Sequence, residues 1–260
     1  MGSTLTLIME EINRFFNEKN TIESDAKIDY SQRNDYLEAV KAFSRMSYQS
    51  LYIIDYFEKA FEYVSDNPLF LCGMTAEEVK NLGYEFYFKN VKPVDLELLV
   101  KINKAGFEFY EKLAIDERKK YSISYDFCLI NERRNEVLIN HKLTPFFLTE
   151  DGKIWKAICM VSLSNAQSSG NVVISKEKSN DLWNYDIVAD QWIIGEKKKL
   201  SEREYEILSL SASGLKITEI ADKIFLAADT VKFHRKRLFE KIGVNNIAEA
   251  LAYAKNNKLL

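Results

Sequence analysis

The chain has 260 residues, enough for two domains, and its 47% hydrophobic and 29% charged residues are typical of a soluble globular protein. No stretch approaches the ~20 consecutive apolar residues of a membrane span, and no secretory signal opens the sequence. We therefore expect a cytoplasmic protein with no membrane partner. A net charge of −3 argues against a protein that coats nucleic acid along its whole length.

Two amphipathic helices are predicted before residue 49. Apolar residues recur at helical spacing in two groups, Ile8, Ile12, Phe15 and Phe16, and then Tyr36, Leu37, Val40 and Phe43. We assign residues 1–48 to an N-terminal helical segment, which could supply a contact to a second copy of the chain.

A mixed domain of strands and helices is predicted next. Strand patterns at 51–56 and 61–65 precede a short helix that Thr75 and Glu78 can cap reciprocally. A longer helix is expected at Val94–Leu113. Three long strands with alternating apolar residues follow, at Tyr121–Ile130, Glu136–Thr149 and Lys153–Ser164.

The order of these elements resembles that of a PAS sensory domain. The resemblance covers roughly residues 50–165, and it is carried by order and spacing more than by a motif. The Asp151-Gly152 turn resembles the PAS hairpin before the last strand. A PAS-like domain implies an antiparallel sheet with flanking helices and a sensory role. A GAF-like or unrelated α+β sensor is the competing interpretation.

Further strands and a linker are predicted after residue 165. A polar break at Gln167–Asn171 precedes three short strand patterns, at Val172–Ser175, Leu182–Tyr185 and Gln191–Ile194. The last two suggest a hairpin added to the sheet. The charged run Glu196–Lys199 is the expected linker, so the PAS-like domain is assigned residues 49–195 and the last domain residues 196–260.

An effector pocket is expected between the sheet and the Val94–Leu113 helix. Most of the aromatic residues precede residue 195, which suits a deep apolar interior. Four polar residues could contribute to the pocket, and each is also compatible with ordinary packing or a surface position: Tyr125, Asn140, His141 and Cys159. The effector, a small molecule or a protein, is not identified by the sequence.

Motifs for catalysis and metal binding are missing from the sequence. There is no P-loop, Gly-x-Gly-x-x-Gly, Gly-x-Ser-x-Gly or His-Glu-x-x-His. The sequence contains two histidines, so few residues are available for a metal cluster or a Ser-His-Asp triad. The three cysteines are far apart, which favours buried thiols over a disulfide or zinc site: Cys72, Cys128 and Cys159. We expect no enzymatic activity, metal or cofactor.

The last quarter of the chain is basic and contains short amphipathic helices. The net charge is +4 from Glu196 onward and −7 before it, which fits nucleic-acid contact by one domain only. Ser201 and Glu204 form a capping-box pattern, and Gly214 can end the first helix. The third helix carries a basic cluster, Lys232, His234, Arg235, Lys236 and Arg237. This layout is typical of a helix-turn-helix that enters the major groove.

A series of short motifs occurs in a fixed order through this region. They are Leu200-Ser201-Glu202-Arg203-Glu204, Glu219-Ile220-Ala221, Thr230-Val231-Lys232-Phe233-His234, Lys241-Ile242-Gly243-Val244 and Glu249-Ala250. The series resembles the LuxR-type DNA-binding domain of bacterial transcription factors. The resemblance implies a four-helix domain that binds a double-stranded operator as a homodimer, with RNA polymerase as a possible partner.

Some residues depart from the family pattern. Lys216, Ile217 and Ala227 stand where the family usually has Ser, Asn and Ser. The loss of a helix cap typically costs ~1 kcal/mol. Asp229 can offset part of this, because an acidic residue in a first turn interacts favourably with the helix dipole.

The resemblance also implies which residues contact DNA. They are Thr230, Lys232, Phe233, His234, Arg235, Lys236 and Arg237. Lys232, Phe233 and Lys236 take the family's base-facing positions, whereas Arg235 and Arg237 are expected to hold phosphates. Phe233 could instead pack in the core. In the last helix, Ile247 and Leu251 are expected to close the domain's own core and Tyr253 to be available to a second copy.

The predicted fold class is therefore α+β, a PAS-like antiparallel sheet with flanking helices plus an all-α four-helix LuxR-type domain. The predicted function is sequence-specific DNA binding in transcription regulation, controlled by a signal sensed in the first domain. The alternative is a protein–protein interaction or dimerisation module with weak DNA binding, and salt-dependent duplex binding discriminates the two.

Overall fold

The computed structural model describes residues 9–257 and 259–260, so Ile8 of the first amphipathic pattern lies outside the described residues. The chain divides into two compact units, Met1–Gly195 and Glu196–Leu260. Among the described helices, none combines the length and the apolar character needed to span a bilayer.

An eight-stranded sheet forms the centre of the N-terminal unit. Its strands are β1 Ser50–Asp55, β2 Ala60–Val64, β3 Tyr121–Ile130, β4 Glu136–Leu148, β5 Ile154–Leu163, β6 Gly170–Lys176, β7 Asp181–Asp186 and β8 Gln191–Glu196. Their order is β2-β1-β5-β4-β3-β6-β7-β8, and the pairings from β2 to β7 are antiparallel. The α+β class, with an antiparallel sheet, is thus confirmed, and β7 and β8 extend the sheet beyond β6.

Helices flank this sheet. They are α1 Arg33–Met46, α2 Pro68–Leu71, α3 Ala76–Leu82, α4 Glu85–Asn90 and α5 Pro93–Glu111, with 3₁₀ turns at Glu18–Asn20 and Ile115–Lys120. The reciprocal cap of Thr75 and Glu78 begins α3, as the sequence predicts. Pro93 begins α5, where its missing N–H leaves no helical hydrogen bond unmade.

The core of this unit lies on one face of the sheet, because alternate residues of each strand point to the same side. Tyr52 of β1 pairs with Cys159 of β5, which pairs with Leu143 of β4, and Leu143 pairs with Ile123 of β3. This row packs with residues of α2 to α5 in one continuous cluster of buried side chains that is rich in aromatic rings.

The segment before β1 packs onto the same unit. Residues 9–13 are helical, and Phe15 beyond them is buried in the core. The Asn20 side chain forms two hydrogen bonds with the main chain of Ile154. Its Nδ2 donates to the Ile154 carbonyl at 2.9 Å, and its Oδ1 accepts from the Ile154 N–H at 2.6 Å. These contacts hold residues 14–20 against the sheet without strand pairing.

A buried cluster of charges lies on the opposite face of the sheet. Lys156 is fully buried, and its Nζ lies 2.5 Å from Glu62 Oε1, 3.2 Å from Asp55 Oδ2 and 2.7 Å from the Tyr36 hydroxyl of α1. The Tyr30 ring lies 4.5 Å from the same ammonium. A buried charge is tolerated when it is paired and hydrogen-bonded, so this cluster ties the residues before β1 to the sheet.

Four helices form the C-terminal unit, as predicted. They are α6 Glu202–Ala212, α7 Ile217–Lys223, α8 Ala228–Ile242 and α9 Ile247–Asn256. Two small apolar clusters hold them together. One joins α6, α7 and the start of α8 through Ile207, Ile220 and Val231, and the other joins α6, α8 and α9.

Candidate functional site

A small cavity lies between the sheet and α5 in the N-terminal unit, at the position that the sequence predicts for an effector pocket. Its volume is about 20 Å³, and its walls include Tyr56, Tyr84, Tyr87, Tyr125 and His141. A space of this size holds about one water molecule.

A chain of hydrogen bonds starts at this cavity. His141 Nε2 lies 2.6 Å from the Tyr52 hydroxyl, which lies 2.6 Å from the Tyr87 hydroxyl. The other ring nitrogen, Nδ1, has no hydrogen-bond partner among the described residues. Burial lowers the pKa of His141 to about 3, so the ring is neutral at neutral pH. In either neutral tautomer, Nδ1 is then an unpaired donor or acceptor.

The four polar residues predicted for the pocket fall in different places. Tyr125 and His141 line the cavity. Cys159 is fully buried on the same face of the sheet, beside Tyr52. Asn140 takes the other position that the sequence left open for it, away from the cavity, because neighbouring residues of a strand point to opposite faces. Its amide donates instead to Ser124 Oγ at 3.0 Å and to Asp126 Oδ1 at 2.9 Å.

The sequence analysis did not name the other residues that line the cavity. Asn103 of α5 and Phe15 of the N-terminal segment both line it. Helical spacing places Phe15 on an apolar helix face, but it does not show which surface that face packs against. A single Asn in a helix does not indicate a pocket. No group of three or more His, Cys, Asp or Glu residues is placed to hold a metal ion within the described part of the chain.

The C-terminal unit begins with the predicted capping box. Glu204 N donates to Ser201 Oγ at 3.3 Å, and the Glu204 carboxylate accepts from Ser201 N at 2.8 Å. The same carboxylate accepts from Lys241 Nζ of α8 at 2.7 Å. Partial burial raises the pKa of Glu204, but the bonds from Lys241 and Ser201 outweigh it and the pKa is lowered. This ion pair ties the start of α6 to the end of α8.

Helix α8 has one buried face, and the residues predicted for it are the ones found there. Val231, Leu238 and Ile242 are buried. Because an α-helix has about 3.6 residues per turn, the opposite face is formed by positions 232, 233, 236 and 237.

The opposite face of α8 is exposed and basic. The side chains of Lys232 and Lys236 are 61% and 78% exposed, and Phe233 is 56% exposed, which excludes the core position for this ring. The Arg237 guanidinium lies over the Phe233 ring at 5.8 Å. We call these four residues the α8 basic face: Lys232, Phe233, Lys236 and Arg237.

The other three predicted contact residues lie at the margins of this face. Thr230, His234 and Arg235 are each half-buried. The Arg235 guanidinium lies over the Phe239 ring at 5.6 Å, and burial lowers the pKa of Arg235. The structure therefore brings four of the seven predicted residues together and places three beside them.

Acidic neighbours of the α8 basic face are weakly held. Lys232 Nζ lies 2.9 Å from Asp229 Oδ1, and Lys236 Nζ lies 3.9 Å from Glu240 Oε1. The hydrogen bond from Lys232 lowers the pKa of Asp229. All four side chains are largely exposed, and exposed ion pairs contribute little to stability. Both lysines can therefore exchange these partners for another ligand at small cost.

The departures from the family pattern affect the helix starts. Ala227 gives α8 no side-chain cap. The Lys216 side chain cannot accept a hydrogen bond, but Glu219 accepts from Lys216 N at 2.7 Å, which satisfies one donor at the start of α7. Asn246 caps α9 by accepting from Glu249 N at 2.9 Å.

The last helix packs against the unit's own core. Ile247, Leu251 and Tyr253 all contact the cluster formed by α6, α8 and α9. Burial raises the pKa of Tyr253, which is half-buried. The Tyr253 ring is thus partly used within its own unit, and it offers a second copy less surface than the sequence suggests.

Comparison with known proteins identifies the C-terminal unit. Residues 198–254 match the family described as bacterial regulatory proteins, luxR family. Over 61 residues, 24% of this chain, it is 46% identical to a probable transcriptional regulatory protein NarL of Mycobacterium tuberculosis, 28% of which is covered. Over 63 residues it is 43% identical to the oxygen regulatory protein NreC of Staphylococcus aureus, with 24% of this chain and 29% of NreC covered.

The N-terminal unit has no counterpart in these matches, since the chain spans less than a third of the length of both relatives. A solved Vibrio cholerae VqmA dimer, described in connection with DNA binding by LuxR-type receptors, aligns with 86% of this chain and 88% of its own at 16% identity, with a TM-score of 0.30. A score this low indicates nothing about what the N-terminal unit binds. The match at residues 198–254, together with the four helices and the motifs in their order, shows that the chain carries a helix-turn-helix domain of the luxR family at its C-terminus.

Proposed function

We propose that the chain is a cytoplasmic transcriptional regulator that binds double-stranded DNA through helix α8. The observation that carries this proposal is the α8 basic face, which is exposed on a helix whose opposite side is fixed in the core of a luxR-family domain. The net charge of +4 from Glu196 onward supports it, because a basic unit is attracted to phosphates whatever the base sequence.

Within this proposal, the residues of α8 have two roles. Lys232, Phe233 and Lys236 contact base edges, with the Phe233 ring suited to the methyl group of thymine. Arg237 holds a phosphate. Arg235, which is half-buried against Phe239, contacts the backbone from the margin and braces the helix. Thr230 and His234 lie at the same margin and are assigned to phosphate contacts or bracing.

The N-terminal unit is proposed to sense a signal. Its support is the cavity between the sheet and α5, which has an unpaired His141 Nδ1 in its wall. A signal of this kind regulates DNA binding only if it binds the DNA-competent and DNA-incompetent states with different affinities.

A dimer is part of the same proposal. One helix-turn-helix covers one half-site, so two copies are needed to read an inverted repeat. Apolar side chains at the end of α1 and just after it are available to a second copy, since Phe43 is 49%, Met46 75% and Tyr48 94% exposed. RNA polymerase contact would follow if the protein acts as an activator.

Selection of bound duplexes from a random library tests the proposal. The full chain should enrich one sequence, arranged as two half-sites, and its affinity should fall steeply with salt. The Lys232→Ala/Lys236→Ala variant should fail to enrich it. Weak binding without enrichment would favour the alternative, an interaction or dimerisation module with weak DNA binding, and the absence of duplex binding would overturn both.

A further inference from the structure

The cavity beside α5 has a lining that is polar and uncharged. His141 Nδ1 has no hydrogen-bond partner among the described residues, and three buried tyrosines, Tyr56, Tyr84 and Tyr125, line the cavity beside it. Buried polar groups are nearly always hydrogen-bonded in native proteins. Among the described residues that line the cavity there is no Lys, Arg, Asp or Glu, and His141 is neutral. The cavity is therefore suited to a neutral molecule that forms hydrogen bonds.

The cavity is also an aromatic slot, and a ring already occupies part of it. Phe15 lines the cavity and is 3% exposed. Its ring stacks on Tyr87, with centroids 5.6 Å apart and planes 14° apart, and it meets Tyr84 and Phe88 at 5.7 Å each. With Phe15 in place, the remaining 20 Å³ admits about one water molecule.

The segment that carries Phe15 is attached by side-chain contacts and not by strand pairing, unlike the walls formed by the sheet. Residues 14–20 pair with no strand in the described structure, whereas Tyr87, Tyr125 and His141 belong to α4, β3 and β4. At the surface the segment is held by Arg14, whose guanidinium contacts Glu97 at 2.6 and 3.0 Å with both side chains exposed. Asn103 Nδ2 reaches the Phe15 carbonyl only at 3.5 Å.

From these observations we propose that the cavity binds a neutral one-ring compound with at least one hydrogen-bonding group, and that Phe15 is a built-in occupant which this compound displaces. The compound's ring takes the place of the Phe15 ring against Tyr87. Its polar group pairs with His141 Nδ1. Residues 14–20 then leave the sheet, so that occupancy of the cavity is converted into a change at the surface.

This inference rests on the proposed sensing role, and it is tested without DNA. The probes are phenol, benzene and benzoate, which share one ring but differ in polarity and charge. The full chain is titrated by calorimetry as the wild type, as Phe15→Ala and as the control Phe70→Ala, which removes a buried ring that does not line the cavity.

Phenol should bind Phe15→Ala about tenfold more tightly than it binds the wild type, because the competing ring has been removed. Benzene should bind Phe15→Ala more weakly than phenol, and benzoate should not bind. In Phe15→Ala/His141→Phe, the preference for phenol over benzene should decrease. If Phe15→Ala does not fold, Phe15→Leu gives the same comparison with a smaller opening.

Hydrogen exchange of the wild type distinguishes displacement of Phe15 by the compound from binding of the compound with Phe15 still in place. Saturating phenol should accelerate exchange of the amides of residues 14–20 and leave those of β3 and β4 unchanged. Benzene binding as tightly as phenol, or unchanged exchange at residues 14–20 when phenol is bound, would overturn the inference. A chain that binds phenol in this way but binds no duplex would instead overturn the proposed function and leave the cavity assignment standing.

Discussion

The two units of this chain use their polar residues in opposite ways. In the N-terminal unit, the polar groups of interest are buried: Lys156 between two carboxylates, and His141 beside a small cavity. In the C-terminal unit, the groups of interest are exposed on α8, and the buried residues of that helix are apolar. Substitutions of polar residues should therefore affect stability in the first unit and binding in the second.

The largest expected effect is a loss of stability of the N-terminal unit when the buried ammonium of Lys156 is removed. Lys156→Met keeps the side-chain volume but leaves Asp55 and Glu62 without their shared partner, and breaking a buried ion pair typically costs ~3–5 kcal/mol. Calorimetry of the full chain should show the transition of the N-terminal unit shifted to a much lower temperature.

The control for this substitution is Lys112→Ala, at an exposed lysine of the same unit. Its effect should stay within ~0.5 kcal/mol. Equal small effects of both substitutions would mean that Lys156 is not the partner that keeps the two carboxylates buried.

The second effect concerns the α8 basic face. Lys236→Ala should weaken binding to the preferred duplex by ~1–3 kcal/mol and relax specificity at one position, because a base contact is lost. Arg237→Ala should weaken all duplexes alike and reduce the slope of log affinity against log salt by about 1, because a phosphate contact is lost. Binding to duplex variants at several salt concentrations measures both.

Lys223→Ala, at an exposed lysine of α7, is the matched control and should leave binding nearly unchanged. Because all three side chains are exposed, thermal stability should change little in each variant. Losses of the same size for Lys236→Ala and Arg237→Ala on every duplex would contradict the two proposed roles.

The difference between the units also explains what the sequence could predict. The C-terminal motifs occur in a fixed order, and the apolar spacing of Val231 and Leu238 identifies the buried face of α8, so the exposed face follows by elimination. Strand alternation likewise predicts β3 to β5 almost to the residue. These features are local, because helix and strand periodicity depends on neighbours a few positions away.

Long-range contacts were not predictable in this way. Lys156 and Glu62 are 94 residues apart, and a lysine in a strand pattern is ordinarily assigned to the surface. Phe15 and His141 line the same cavity because the N-terminal segment packs Phe15 into the core of the unit. This arrangement depends on the order of the strands in the sheet and on the packing of the segment, and neither can be read from a single element of the sequence.

The third effect is a dependence of stability on pH from His141. Burial lowers its pKa from about 6.5 to about 3, so between these values the unfolded chain binds a proton that the folded chain does not. The contribution of His141 to the free energy of unfolding is therefore complete above pH 6.5, and it decreases as the pH falls toward 3. At pH 5 the loss is roughly 2 kcal/mol.

Denaturant unfolding of the wild type and of His141→Gln at several pH values isolates this contribution. Carboxylates such as Glu117, whose pKa is lowered to about 2 chiefly by its hydrogen bonds with Lys120 and Lys176, make both proteins less stable in acid. The difference between the two proteins should nevertheless shrink from pH 7 to pH 5. A constant difference would show that His141 takes up a proton in the folded state.

The smallest effect is a gain of stability in the C-terminal unit. Ala227 precedes α8 in an extended conformation with φ −71° and ψ 146°, which is the backbone of a helix cap, but its side chain has no acceptor. Ala227→Ser places a hydroxyl oxygen where it can accept from the free N–H groups of the first turn, and such caps typically contribute ~1 kcal/mol. The unfolding temperature of the C-terminal unit should rise by a few degrees, while Ala227→Gly, which adds no acceptor, should give less than half of the gain.

Because Ala227 is exposed and outside the α8 basic face, the affinity of Ala227→Ser for duplex should stay the same. A serine that stabilises no better than glycine would show that the start of α8 is already satisfied by water, and that the missing cap does not weaken this domain.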